Sequence, residues 1–360
     1  MGLKSPIPLK DLKFNTPVPY TLHVDRELFQ LTKQKLALFR YPEEQTDFGA
    51  NNWAQGAKVS RVKQLAEFWK DHYGWEAEEV PPPERYLQPF LVKIDVPGYG
   101  PLVLHFTQTN RARYTPLTEP EDAKVLAFHF VAPSIPGFGF SPAPTKSGVG
   151  PNVVARAYKI LMTDVLRYPK FVTQGGDFGS FITRSIAIQY PQGRARPALE
   201  HVPSTSSYAV FEHESLRVHR NFEQDQSGYV EEQKTRPQTL GFALGDSPLG
   251  LLAWLVEKFH DWRDGATPGL RFYREAFGRG MREAQKTFET YVSVPCGVSM
   301  YEKEQLHCPR DWAAQAANIL YWREYDRGGH FASLERPGLF VHDLRSFFSS
   351  PVVIQAYTQQ

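Results

Sequence analysis

An aspartate sits among small residues in Gly175-Gly176-Asp177-Phe178-Gly179. The run before it, Lys170 to Gln174, is strand-like; the run after it, Ser180 to Tyr190, is helix-like and stops at Pro191. Strand, sharp turn and helix together expose a nucleophile at a strained bend. Small neighbours let the backbone make that bend without Cβ clashes. A carboxylate at such an apex attacks alkyl carbon and leaves an ester that water can hydrolyse, which suits epoxides and alkyl halides. Asp is also a favoured helix N-cap, but the glycine-rich, strand-preceded setting points to a nucleophile. Asp-Phe-Gly occurs in protein kinases too, yet no Gly-rich phosphate loop or His-Arg-Asp partner accompanies it here.

An ester-forming aspartate needs a base for the second step and a carboxylate to orient that base. The expected chain order is nucleophile, acid, histidine. His330 lies in Arg327-Gly328-Gly329-His330-Phe331-Ala332, on a glycine turn directly after a strand-like segment. Upstream, after a short strand ending at Val294, the run from Pro295 to His307 offers Glu302 and Glu304. The residues alone leave that choice open.

These side chains need a scaffold. The first 85 or so residues read as an arm, with apolar positions at helical spacing over 24–39 and again over 59–73. Pro81-Pro82-Pro83 marks a boundary. Strands over 90–96 and 102–106 are joined by Pro97-Gly98-Tyr99-Gly100 as a hairpin. A buried-strand candidate follows over 125–132, then a helix over 151–167, the elbow strand and a further strand over 196–200. Residues 203–290 are rich in helix formers and lack strand-like runs. Short strands return over 291–294 and 320–325, and a helix over 337–348 closes the chain. Strands alternating with helices predict a mostly parallel sheet.

Composition narrows the function. Across 360 residues, 41 Lys+Arg balance 39 Asp+Glu to a net charge of +2 with the charges interspersed, so nucleic acid is not an expected partner. Two cysteines, Cys296 and Cys308, cannot build a disulfide framework, and no paired CxxC points to zinc. No apolar leader and no run of about 18 apolar residues occurs, so a soluble cytoplasmic chain without a transmembrane anchor is expected. A homo-oligomer is compatible with all of this.

The motifs together resemble the microsomal-type epoxide hydrolases. The similarity is carried by the elbow at 174–180, Pro-Ser-Ile-Pro-Gly-Phe-Gly-Phe-Ser-Pro at 133–142, Thr-Arg-Pro-Gln-Thr-Leu-Gly-Phe-Ala-Leu-Gly-Asp-Ser-Pro-Leu-Gly at 235–250 and Arg-Gly-Gly-His-Phe-Ala at 327–332. It implies an α/β fold: an α/β-hydrolase core over 86–202 and 291–360, an N-terminal helical arm over 1–85 and a helical lid over 203–290. It also implies Asp177 as nucleophile, His330 as general base and Glu304, not Glu302, as the acid that orients it. Tyr229 and Tyr273 fall on the family's lid tyrosines, which donate to the epoxide oxygen. The expected reaction turns a small apolar epoxide into a vicinal diol, with no metal and no organic cofactor.

The chain departs from that pattern twice. Family members carry a His-Gly-Trp-Pro-Gly type stretch before the strand at 125–132, which forms a core strand and supplies one oxyanion amide. Here Arg113 to Pro120 bridges the gap, leaving the backbone N–H of Phe178 as the single expected donor. Lid sequence just before Tyr273 is replaced by Asp264 to Gly269. Rival readings are a haloalkane dehalogenase, for which the arm and tyrosine pair are not expected, and an esterase, which would want serine at 177. A catalytically impaired or non-catalytic ligand-binding relative, or a gene model that lost coding segments, would also fit.

Overall fold

The computed structural model describes residues 8–21, 23–44, 53, 56–75, 87–109, 117, 118, 120, 122, 124–191, 210–262, 287, 289–304 and 307–358. The boundary at 81–83, the strand at 196–200 and most of both shortened segments lie outside these residues. The arm contributes an edge strand, β1 (Val18–Pro19), and two helices, α1 (Arg26–Leu38) and α2 (Val59–Asp71). Asp25 caps α1 by accepting from the backbone N–H of Glu27 at 3.0 Å, satisfying one of the donors a helix start leaves open.

The hairpin forms as expected, with β2 (Gln88–Val96) pairing antiparallel to β3 (Gly100–Thr109). Beyond it, β4 (Phe130–Pro133) is shorter than the run at 125–132 and pairs antiparallel to β3. Helix α3 (Pro151–Ile160) starts on a proline and continues into a π-helical turn over Leu161–Val165. Helix α4 (Phe178–Gln189) follows the elbow. Val92, Ile94, Leu104 and Phe106 from the hairpin meet Val154, Leu161, Phe178 and Ile182 from the helices in the main core. Buried Ala155 and Ala157 on α3 leave room for its neighbours.

The region read as a lid is helical: α5 (Val210–Asn221), α6 (Gly228–Thr235), α7 (Pro237–Asp246) and α8 (Pro248–Trp262). The arm packs onto it. Leu36 and Val62 share a core with Leu249 and Val256, Trp53 stacks on His260 at 4.0 Å, and Lys35 pairs with Asp246. The chain then runs through β5 (Val292–Lys303), α9 (Arg310–Ala316), β6 (Ala317–Gly329), α10 (Ala332–Glu335), α11 (Pro337–Phe348) and α12 (Pro351–Thr358).

Two expectations are corrected. The sheet is not one mostly parallel layer: among the described residues, β1 to β4 form an antiparallel sheet, β5 and β6 pair in parallel, and an isolated parallel bridge joins Phe14 to Lys93. The strand expected over 170–174, ahead of the elbow, is not formed. A parallel strand exists only through neighbours on its edges. The run at 196–200 and most of the segment between β3 and β4 lie outside the described residues. Strands β5 and β6 are also longer than expected and reach Lys303 and Gly329, with register shifts near Pro295, Gly297 and Lys303 that break the simple alternation.

Candidate active site

Asp177 occupies φ 48°, ψ −130°, a region that non-glycine residues rarely enter. Its backbone carbonyl is held by the Ser180 hydroxyl at 2.6 Å and the Ser180 N–H at 2.9 Å. The bend depends on the lack of a side chain at Gly175: a Cβ there would stand 2.3 Å from the backbone carbonyl carbon and oxygen of Gly179. Gly176 has open space instead. Aspartate is therefore both the helix N-cap and the exposed apex, and its positive φ departs from the extended backbone usual for an N-cap.

The two carboxylate oxygens face different partners. Oδ1 accepts from the Phe178 N–H at 2.5 Å. Oδ2 lies 3.0 Å from Nε2 of His330. The other imidazole nitrogen, Nδ1, lies 2.6 Å from Oε1 of Glu304. The His330 side chain is only 6% exposed, whereas Asp177 is 44% exposed, so the nucleophile is open and its base is sheltered. Burial opposes charge on His330, but hydrogen bonds to Asp177 and Glu304 overcome it and push the group up to about 10. With both carboxylates ionised, the imidazole is a cation that donates from both nitrogens.

Each group reaches the centre from a different element. Glu304 directly follows β5, with its N–H bonded to the carbonyl of Tyr301 at 3.0 Å. His330 directly follows β6, near whose end Gly328 adopts φ 92° and a Cβ would meet the Tyr301 ring at 2.9 Å. Phe331 packs edge-on against the imidazole at 4.6 Å. The loop between β4 and α3 sets Phe138 edge-on to Phe178 at 6.1 Å, and Tyr229 on α6 packs against the same core. Asp177, Phe178, Glu304 and His330 thus meet, and Tyr229 lies on the adjoining apolar core. Tyr273 lies outside the described residues.

Three supporting residues escaped the sequence reading. Asp343 on α11 is buried and accepts from Ser299 at 2.6 Å and from Tyr321 and Tyr325 at 2.7 Å each, which clamps β5 to β6. His307 is buried, with Nε2 2.8 Å from the Tyr301 carbonyl and Nδ1 3.1 Å from the Ser215 hydroxyl, joining the segment after Glu304 to lid helix α5. Burial holds His307 below the ordinary imidazole range, against the pull of the Tyr301 carbonyl and nearby glutamates. Arg184, on α4, donates to the backbone carbonyls of Thr287, Thr290 and Ala316. The available signal was a single charged residue in the run 178–189, Arg184, and a single carboxylate in the run 337–348, Asp343.

The comparisons agree on one relationship. Residues 17–129 match the family described as Epoxide hydrolase N terminus. A Stigmatella aurantiaca (strain DW4/3-1) protein assigned to the epoxide hydrolases is 31% identical, covering 92% of this chain and 84% of that one. Epoxide hydrolase 1 of Sus scrofa is 30% identical over 64% of this chain and 63% of its own length. The Aspergillus niger epoxide hydrolase structure superposes with a TM-score of 0.74 at 27% identity, covering 92% of this chain and 95% of that one. Juvenile hormone epoxide hydrolase from Bombyx mori shares the fold, with a TM-score of 0.78 at 20% identity over 94% of this chain and 95% of that one. The chain belongs to the epoxide hydrolase family of enzymes, built on the α/β-hydrolase fold.

Proposed function

We propose that this chain hydrolyses an apolar epoxide to a vicinal diol through an ester on Asp177. The observation that carries this is the split role of the carboxylate. Oδ1 is engaged by the Phe178 N–H, while Oδ2 faces the site beside an imidazole already oriented by Glu304.

In the first half-reaction Oδ2 forms a bond to an epoxide carbon. The ring C–O bond breaks, its electron pair stays on oxygen, and that oxygen takes a proton through the phenols of Tyr229 and Tyr273. Phenols aimed at a developing alkoxide stabilise it more than the ground-state ether. Esterification removes the negative charge of Asp177. Burial then works against the imidazolium with only Glu304 opposing it, so His330 surrenders the proton that balances the alkoxide. The neutral imidazole is now a base. It takes a proton from water, the hydroxide adds to the ester carbonyl, and Oδ1 carries the resulting oxyanion against the Phe178 N–H. Collapse releases the diol and restores the carboxylate–imidazolium pair. No step calls for a metal or an organic cofactor.

Among the described residues the Phe178 N–H is placed to serve that oxyanion, and one such donor is typically worth about 100- to 1000-fold in the step it assists. Intact mass measured after mixing with styrene oxide tests the scheme. The native chain should show a transient adduct of one epoxide mass and then diol. His330→Gln should keep the adduct and form no diol. A folded native chain giving neither adduct nor diol with several apolar epoxides would sink the reading and favour a ligand-binding relative.

A further inference from the structure

The nucleophile and its base stand on separate pieces of structure. Asp177 leads α4, which packs on the antiparallel sheet, whereas Glu304 and His330 end the strands of the parallel pair. Among the described residues no ladder joins the two sheets, and side chains bridge them instead.

Arg184 stands seven residues beyond Asp177 on the same helix. Its Nε donates to the Thr287 carbonyl at 3.0 Å, one terminal nitrogen to Ala316 at 3.2 Å and the other to Thr290 at 2.6 Å. Thr287 and Thr290 lie on the approach to β5, and Ala316 immediately precedes β6. One planar guanidinium thus grips the entry of both strands whose far ends carry the acid and the base. A rigid fork suits this task because three acceptors are met at once with little further loss of side-chain freedom. A smaller bridge runs beside it: Oδ1 of Asn152 accepts from Ser185 at 2.9 Å and from Thr287 at 3.2 Å.

We propose that Arg184 is a positioning residue for the reaction, keeping the Asp177 piece in register with the His330–Glu304 piece. The inference rests on the catalytic reading above for its effect on turnover, but not for its effect on the imidazole. Against the effect of burial, the contact at 3.0 Å to Asp177 raises the imidazole together with the one to Glu304, whether or not the enzyme turns over.

The test follows His330 by NMR in the native chain, Arg184→Gln and Arg184→Lys, with His330→Gln assigning the signal. Near-UV circular dichroism checks folding, and single-turnover mass spectrometry follows both half-reactions. Lysine keeps the charge but can reach fewer of the three carbonyls. The expected result is a His330 midpoint that falls from about 10 toward the ordinary imidazole range in folded Arg184→Gln, with a smaller fall in Arg184→Lys. Ester hydrolysis should slow about 100-fold in Arg184→Gln, as a misplacement of about 1 Å commonly does. If Arg184→Gln does not fold, Arg184→Lys decides alone. A folded variant with a lower melting temperature, an unmoved His330 titration and unchanged half-reaction rates would overturn the proposal. A moved titration in a chain whose Asp177 never forms an adduct would uphold the positioning role and remove the catalytic reading instead.

Discussion

The two halves of the candidate site reach their geometry by opposite means. The nucleophile half is local. A few consecutive residues force Asp177 into φ 48°, and Gly175 gives way to Gly179 across a turn of four residues. The base half is assembled from afar. Glu304 and His330 are brought together by two long strands, and a buried carboxylate on α11 ties those strands through three hydroxyls. A local device fails abruptly when one atom is added, because the clash is with backbone that cannot turn away. A distributed device loses a share of its stability with each lost partner.

Chemistry gives the largest expected difference. Asp177→Ala should lower diol formation about 10,000-fold or more while leaving the near-UV circular dichroism intact. Turnover within tenfold of the native chain would mean that another group attacks the epoxide. A pair of glycine variants comes next. Gly175→Ala should destabilise the fold by about 3 kcal/mol in urea denaturation, because its Cβ would stand 2.3 Å from Gly179 backbone. Gly176→Ala, with nothing within 4 Å of its Cβ, should cost no more than about 1 kcal/mol. Equal losses at the two positions would show that chain flexibility, not close approach, requires glycine here.

The distributed half should respond more mildly. Asp343→Asn keeps a carbonyl acceptor but points an amide donor at hydroxyls that already donate. The loss should be about 1–3 kcal/mol in the same denaturation experiment. Its effect on the Asp177 adduct should be small, since the nucleophile half does not touch the network. Adduct formation abolished in a folded Asp343→Asn chain would break the distinction between the halves.

What the sequence revealed follows the same division. The elbow, its aspartate, the helix over 337–348 and the start of the one read over 151–167 were legible because local chemistry determines them: glycines at a turn, prolines at helix starts, and apolar spacing. The order of Asp177, Glu304 and His330 could be read, although Glu304 over Glu302 required the family resemblance. The pairing state of 170–174 could not be read, because a strand is made by its neighbours and nothing in five residues reports whether they are present. Nor could the reach of β5, where Pro295, Gly297 and bulges interrupt the alternation that marks a strand. Arg184 and Asp343 look like tolerated polar residues in their helices until their partners, about 100 to 130 and about 20 to 45 residues away, are placed beside them.

The last effect is one of pH, and it sharpens the comparison because it reads the contact between the halves. His330 sits at about 10 when folded, against an ordinary unfolded value near 6.5. A raised folded value means that the native state holds the proton more tightly than the unfolded chain. Its contribution to stability is therefore fully present below about 6.5 and is lost as pH rises through about 10. Asp177→Ala removes one of the two carboxylates that hold the proton, leaving burial opposed by Glu304 alone. Melting temperatures measured from pH 6 to 10.5 should show the native chain losing ground to Asp177→Ala as pH rises, with the curves converging at the alkaline end. A gap that stays constant or widens with pH would mean that the imidazole does not feel Asp177 in solution, and the two halves would then not be in contact.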